Sequence, residues 1–227
     1  MNRIILDVET AGTFGKSLVY DLGFIVVDGD FAELESHSWV IGDVYYGMPD
    51  KMSTAYYRDK LSQYDVEIAE GKREVKRLKD AYRIFNDICE KYDIREVWAF
   101  NAKFDKDALN YTLKVCSKYF FDRFIPATVK IKCIMGAAMD TICKTQAYAM
   151  FAEKTEKNNV RVNAENVYRY ISGDTGFVEE HTGLADSQIE LEILKQCLKR
   201  RKKMDTDPKN ITAFKSWQAI QKNWKSL

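Results

Sequence analysis

Four carboxylates and one imidazole, carried by three short segments, are the side chains of this chain best suited to chemistry. The segments are Asp7-Val8-Glu9-Thr10 near the start, Asn101-Ala102-Lys103-Phe104-Asp105 in the middle, and His181-Thr182-Gly183-Leu184-Ala185-Asp186 towards the end. Carboxylate oxygens are hard donors that suit a divalent cation such as Mg²⁺. Together with an imidazole they could hold two such ions and activate a water against a phosphodiester. Asp7 and Glu9 are two residues apart, and on a strand such residues point to the same side. Two acids on one face of a central strand need a cation to neutralise them. The competing reading is that one of them sits in solvent at the strand end.

The other two segments have competing readings as well. Asp is favoured at helix N-caps, which is the ordinary use for Asp105, although Asp107 is better placed for it. His181 is one of only two histidines. It lies in a Gly-containing stretch five residues before Asp186, which opens a helix, so its ring could swing over a metal held by that acid. A carboxylate in a first helical turn also answers the helix dipole. His37 falls in a strand among polar neighbours and is assigned no role.

The elements that must position these groups can be read from periodicity. Arg3 to Leu6 is a β-rich run ending at Asp7, which puts the acids at a strand's C-terminal end. Ser17 to Val27 and Ala32 to Ile41 read as further strands, joined by the turn signal Asp28-Gly29-Asp30. The first three strands therefore read as an antiparallel meander. Residues 42–70 are less regular and rich in tyrosine, with a short helix near 55–63. Tyrosines such as Tyr45, Tyr46, Tyr56, Tyr57 and Tyr64 could stack on single-stranded bases, but more often they cover a core.

Beyond this stretch, Lys72 to Tyr92 has helical spacing of its apolar residues. Glu96 to Phe100 reads as a buried strand, and Asp107 to Lys118 as helix. Lys130 to Met135 reads as a fifth strand, followed by helices at about 136–155, 163–171 and 184–202. The order suggests an α/β fold with a mixed five-stranded sheet flanked by helices.

Composition limits the alternatives. An apolar fraction of 46% and a charged fraction of 30% over 227 residues fit a folded domain with a full core. No apolar run is long enough to span a bilayer, and no signal peptide precedes the first strand. Cys89, Cys116, Cys133, Cys143 and Cys197 are scattered and odd in number, so they read as reduced thiols of an intracellular, cytoplasmic protein. Neither histidine neighbours a cysteine, which argues against a zinc site.

The net charge of +1 hides an asymmetry. Residues 199–227 hold 9 basic and 2 acidic side chains, whereas residues 1–198 hold 26 basic and 32 acidic ones. Lys199 to Lys203 could match a helix dipole or contact phosphates. Ala213, Trp217, Ile220, Trp224 and Leu227 step along one face of a potential helix. This suggests a domain over 1–200 and a basic amphipathic extension over 201–227.

In their order and contexts the three segments resemble the DEDD superfamily of 3′–5′ exonucleases, of DnaQ-like type with a ribonuclease-H-like fold. The third segment matches the H-x4-D subgroup. The resemblance spans about residues 3–200. The Tyr-rich stretch at 42–70, Ser187 in place of a small apolar residue, and the basic tail depart from the family pattern.

By the resemblance, Asp7, Glu9 and Asp186 hold a first Mg²⁺. Asp7 bridges to a second, supported by Asp105, and Mn²⁺ is a possible substitute. His181 acts as general base. Thr10, Ala11 and Gly12 lie beside the terminal nucleotide, with Asn101 and Phe104 also on the substrate side; Phe104 either stacks or packs. The implied activity is metal-dependent hydrolysis at 3′ ends of single-stranded DNA, releasing nucleoside 5′-monophosphates. A 3′–5′ exoribonuclease of the same mechanism is the first alternative. A low-activity nucleic-acid-binding or polymerase-tethering module is the second. A polymerase or a replication or repair protein is the partner the extension suggests.

Overall fold

The computed structural model describes residues 1–13, 15–117, 123–200 and 203–210. The Trp-bearing stripe from Ala213 onward, and Arg201 and Lys202 of the basic run, lie outside the described residues.

The described strands are β1 (Arg3–Ala11), β2 (Leu18–Val27), β3 (Glu33–Ile41), β4 (Glu74–Lys76), β5 (Glu96–Ala99) and β6 (Lys130–Cys133). They form one mixed sheet in the order β4-β3-β2-β1-β5-β6. β1, β2 and β3 are the expected antiparallel meander. Asp28 closes the β2–β3 turn, where its Oδ1 accepts the N–H groups of Asp30 and Ala32 at 2.8 and 2.9 Å. Every residue of β2 is buried, so the strand packs on both faces and reads as a continuous apolar run interrupted by a single acid, Asp21.

The helices are α1 (Gly42–Tyr45), α2 (Pro49–Met52), α3 (Leu61–Ala69), α4 (Leu78–Lys91), α5 (Ala102–Cys116), α6 (Ile134–Ala138), α7 (Gln146–Phe151), α8 (Ala164–Ser172) and α9 (Gly183–Lys199).

Several sequence expectations change, among them the short helix expected near 55–63, which forms instead over Leu61–Ala69 as α3 after a 3₁₀ turn at Arg58–Lys60. The first strand does not stop at Asp7. It continues to Ala11, because the ladder to β2 runs on past a register shift between Glu9 and Thr10. The acids therefore lie within the strand.

The long helix starts at Leu78 rather than Lys72. Glu74–Lys76 is drawn into parallel pairing with β3, adding a sixth strand to the sheet. The Asp43 carboxylate then accepts the Leu78 N–H at 2.6 Å and caps the helix. The following helix starts at Ala102, so Asp107 is not its cap and Asp105 falls in its first turn. Last, the helix expected at about 136–155 is broken. α6 widens into a π turn over Met139–Cys143, and α7 restarts where the Thr145 side chain accepts the Tyr148 N–H.

The packing divides into two compact units. The first comprises Met1–Val97, Phe104–Lys130 and His181–Ser187. Its core includes an aromatic cluster in which Phe24 meets Trp39 and Phe85 edge-on, with centroids 4.9 and 5.3 Å apart. Such pairs contribute about 0.5–1.5 kcal/mol each beyond the area they bury. The second comprises Trp98–Lys103, Ile131–Glu180 and the chain from Gln188. Its core draws on the wholly buried α6 and on Tyr148, Val167, Ile193 and Leu194. All five cysteines are free, and Cys116 alone is not fully buried. Among the described residues, no helix is long and apolar enough to cross a membrane.

Candidate active site

The first unit holds Asp7, Glu9, Asp105, His181 and Asp186. Glu9 lies on β1 opposite Asp21 of β2 and is buried, whereas Asp7, opposite Gly23, is half-buried. Asp105 is buried in the first turn of α5. Burial pushes its carboxyl up to about 7, against the pull of the backbone N–H groups of Asp105 itself and of Val8, which donate to it. The Val8 contact seats Asp105 on the strand between Asp7 and Glu9. Asp186 is buried in the first turn of α9, where its N–H donates to the Thr182 carbonyl at 2.9 Å.

Ligand atoms of Glu9, His181 and Asp186 all lie within 4.8 Å of one another. The fold thus brings the first and third sequence segments together across more than 170 residues. Asp7 and Asp105 stand outside that set of three, Asp7 two residues along the same strand and Asp105 against Val8. The donors fit a divalent cation: two buried carboxylates and an imidazole in one small space, with a desolvated acid beside them whose charged form needs a nearby positive charge.

The candidate substrate residues are placed as follows. Thr10 is half-buried and Ala11 buried at the end of β1. Gly12 has φ +102° and its N–H donates to Thr54 Oγ1 at 3.0 Å. A Cβ there would meet the Lys16 carbonyl oxygen at 2.9 Å, so the position demands glycine. Phe104 is half-buried in α5, and Asn101, half-buried, immediately precedes that helix.

Sequence reasoning missed the groups that hold the third segment. The Gly183 N–H donates to Asp21 Oδ2 at 2.9 Å. The same oxygen accepts from Tyr64 Oη at 2.7 Å and from Arg73 Nη1 at 3.0 Å. Arg73 also binds Ser38 and Glu67 and lies over the Tyr64 ring at 4.2 Å. Burial pushes the Asp21 carboxyl up, while Arg73, Tyr64 and the Gly183 N–H pull it down. One signal was available: a lone acid inside an apolar strand has to be paired.

Ser187 is fully buried, and its hydroxyl lies 2.7 Å from the Gly183 carbonyl and 3.1 Å from that of Gly23. The departure from a small apolar residue thus supplies a link from α9 to β2. His181 has φ +55°, an uncommon left-handed backbone for a residue other than glycine. Its ring lies flat against Tyr57, with centroids 3.9 Å apart and planes 10° from parallel. His37, given no role, sits 2.8 Å from Glu35 on β3.

No protein-family model matches the chain, and no curated protein matches it. Solved structures do. E. coli exonuclease I in complex with a dA16 oligonucleotide aligns with TM-score 0.54 and 12% identity over 88% of this chain and 41% of that one. An apo exonuclease I aligns with TM-score 0.53 and 14% identity, over 88% and 42%. A zinc-bound E. coli exonuclease I–ssDNA complex aligns with TM-score 0.52 and 13% identity, over 88% and 41%. The fold is ribonuclease-H-like. At this identity the likeness concerns the fold, and the chain spans about two fifths of the length of those structures.

Proposed function

We propose that the chain is a metal-dependent 3′–5′ exonuclease of the DEDD superfamily, H-x4-D subgroup, acting on single-stranded DNA. The observation that carries this reading is the convergence of Glu9, His181 and Asp186 within 4.8 Å, with Asp105 of α5 held against β1 by the Val8 N–H. The fold shared with exonuclease I, several of whose structures hold single-stranded DNA or oligonucleotides, supports it. Residues 1–200 would carry the activity and 201–227 a basic extension able to meet a polymerase or a replication or repair protein.

Asp7, Glu9, Asp105 and Asp186 would hold the Mg²⁺ ions. Such ions would supply neutralisation of the phosphate charge and a water made acidic enough to react near neutral pH. His181 takes the proton of the attacking water as its oxygen bonds to phosphorus. The bond from phosphorus to the 3′ oxygen of the preceding nucleotide breaks, and that oxygen is protonated from solvent. The products are a nucleoside 5′-monophosphate and a strand one nucleotide shorter. Thr10, Ala11 and Gly12 would lie beside the terminal nucleotide.

The test uses 5′-labelled single-stranded DNA and the matching RNA with Mg²⁺, comparing the native chain with Asp7→Ala. A DNA ladder shortening from the 3′ end and lost in the variant supports the proposal. Faster shortening of RNA makes the chain an exoribonuclease. Binding without cleavage of either strand replaces the enzyme by a tethering module.

A further inference from the structure

We infer that Tyr57 is a positioning residue for His181, holding the imidazole over the acids so that it can take the proton. This rests on the exonuclease reading of the site. The stack is close and nearly parallel, 3.9 Å and 10°, so it restrains the ring in both tilt and height. A general base works only within hydrogen-bond reach of the proton it takes. His181 lies outside the helices and strands, two residues before α9 begins.

The surrounding geometry fixes both partners of the stack. On the His181 side, the left-handed backbone sets the direction of the ring, and two residues later the Gly183 N–H is pinned by Asp21. On the Tyr57 side, the Lys60 N–H donates to the Tyr57 carbonyl at 3.0 Å, closing the turn that opens the short 3₁₀ segment Arg58–Lys60. Tyr56 packs edge-on against Tyr57, with centroids 4.8 Å apart and planes at 87°. Three residues before Tyr57, Thr54 Oγ1 accepts the Gly12 N–H. The segment 54–57 therefore connects the end of β1, which carries Asp7 and Glu9, to the imidazole of the third segment. The Tyr-rich stretch, outside the family pattern, acquires a task in this way: it braces the base against the strand that carries the acids.

The roles of the two tyrosines differ. Tyr56 is 82% exposed whereas Tyr57 is half-buried. Tyr57 has one ring face committed to His181 and an edge partner in Tyr56, so it is placed to hold the base rather than to read substrate.

The experiment compares the native chain with Tyr57→Phe and Tyr57→Leu in two measurements. The first is steady-state hydrolysis of a single-stranded oligodeoxynucleotide with Mg²⁺. Tyr57→Leu is expected to lower kcat about tenfold or more, because a small misplacement of a reacting group has effects of that size. Its KM should stay within about twofold, and Tyr57→Phe, which keeps the stack, should stay near native in both.

The second measurement is the proton NMR shift of the His181 ring in the metal-free protein, with His37 as internal reference and assignment by His37→Gln. Loss of the Tyr57 ring current should move the His181 signals downfield in Tyr57→Leu and leave them in place in Tyr57→Phe. Unmoved His181 signals in Tyr57→Leu overturn the stack. Moved signals with unchanged kcat, or a raised KM with unchanged kcat, overturn the positioning role. A native chain that cleaves nothing overturns the exonuclease reading, and with it the role inferred for Tyr57, whatever the NMR shows.

Discussion

The Gly183 N–H donates to Asp21 Oδ2 at 2.9 Å, so a fully buried acid on β2 holds the first residue of the helix that carries Asp186. Asp21 also faces Glu9 across the β1–β2 ladder. One residue thus connects the strand of the first acidic segment to the helix of the third. Its charge is balanced by Arg73, itself buried and paired with Glu67.

The first prediction concerns that network. Asp21→Leu leaves the Arg73 guanidinium, the Tyr64 hydroxyl and the Gly183 N–H without their shared acceptor. Breaking one side of a buried ion pair costs about 3–5 kcal/mol, so the urea unfolding midpoint should fall accordingly. Adding Arg73→Met should not recover that loss, because Arg73 still pairs with Glu67 and Ser38 in the single variant and its removal strands the Glu67 carboxylate, while the Tyr64 hydroxyl and the Gly183 N–H stay unsatisfied. An unfolding free energy for Asp21→Leu within about 1 kcal/mol of native would show that the network does not hold the fold together.

A second prediction follows from the close approach beneath this network. A Cβ at Gly23 would overlap the Gly183 carbonyl carbon and the Leu184 nitrogen, both backbone atoms that cannot rotate away. Gly23→Ala must therefore push the start of α9 off β2, breaking the Ser187 and Asp21 contacts with it. Overpacking of this kind costs typically about 1–3 kcal/mol and occasionally more. Thermal unfolding should show a loss at or above the top of that range. The proposed nuclease activity, measured below the lowered Tm, should fall as well, because Asp186 moves with the helix.

Much of this arrangement was legible in the sequence, and the reasons it was or was not are physical. Asp7, Glu9, Asp105, His181 and Asp186 could be singled out because acids flanking apolar runs, and a rare histidine near an acid, are costly arrangements that need a purpose. The meander was legible because Asp28-Gly29-Asp30 marks a turn and β2 is strongly apolar. β4 was hidden, since Glu74-Val75-Lys76 continues a helical pattern and becomes a strand only through the edge of β3. The Tyr57–His181 stack was hidden too, because 124 positions separate two residues that meet only in the fold. Asp21 carried a signal, an acid inside a buried strand, but its partners Tyr64 and Arg73 come from the irregular stretch and its borders, where local periodicity says little.

The third prediction is a pH dependence. Glu35 is held down to about 2 by hydrogen bonds from Lys91, first, and Tyr92, against a smaller opposing effect of burial, with His37 adding to the lowering. The distances are 2.9 Å to Lys91, 2.7 Å to Tyr92 and 2.8 Å to His37. A carboxyl depressed in the folded state contributes stability above its unfolded value near 4.5, and that contribution is lost as pH falls towards about 2. The effect should be modest, because the Lys91 side chain is 59% exposed and water screens the pair. Urea midpoints of the native chain and Glu35→Gln should differ near neutral pH and converge as pH falls through this window. A constant difference at every pH would mean that Glu35 acts through packing rather than charge.

The last prediction separates stability from catalysis at the acid cluster. Glu9 and Asp186 are both buried and offer ligand atoms within 4.8 Å of each other and of His181. Two carboxylates this close repel each other wherever both are ionised, and Asp105, held against Val8 of the same strand as Glu9, adds a third buried carboxyl. Removing one charge relieves that repulsion, so metal-free Glu9→Gln and Asp186→Asn should melt at or above the native temperature. Mg²⁺ should raise the native Tm, because a ligand that binds only the folded state stabilises it in proportion to RT ln(1 + [L]/Kd). The rise should shrink in both variants as affinity falls. Hydrolysis of single-stranded DNA should drop about a thousandfold or more in each, since cation-held charge stabilisation contributes several kcal/mol to such reactions. An equal Mg²⁺-dependent rise in native and variant proteins would place the bound cation elsewhere and remove these two acids from the metal site.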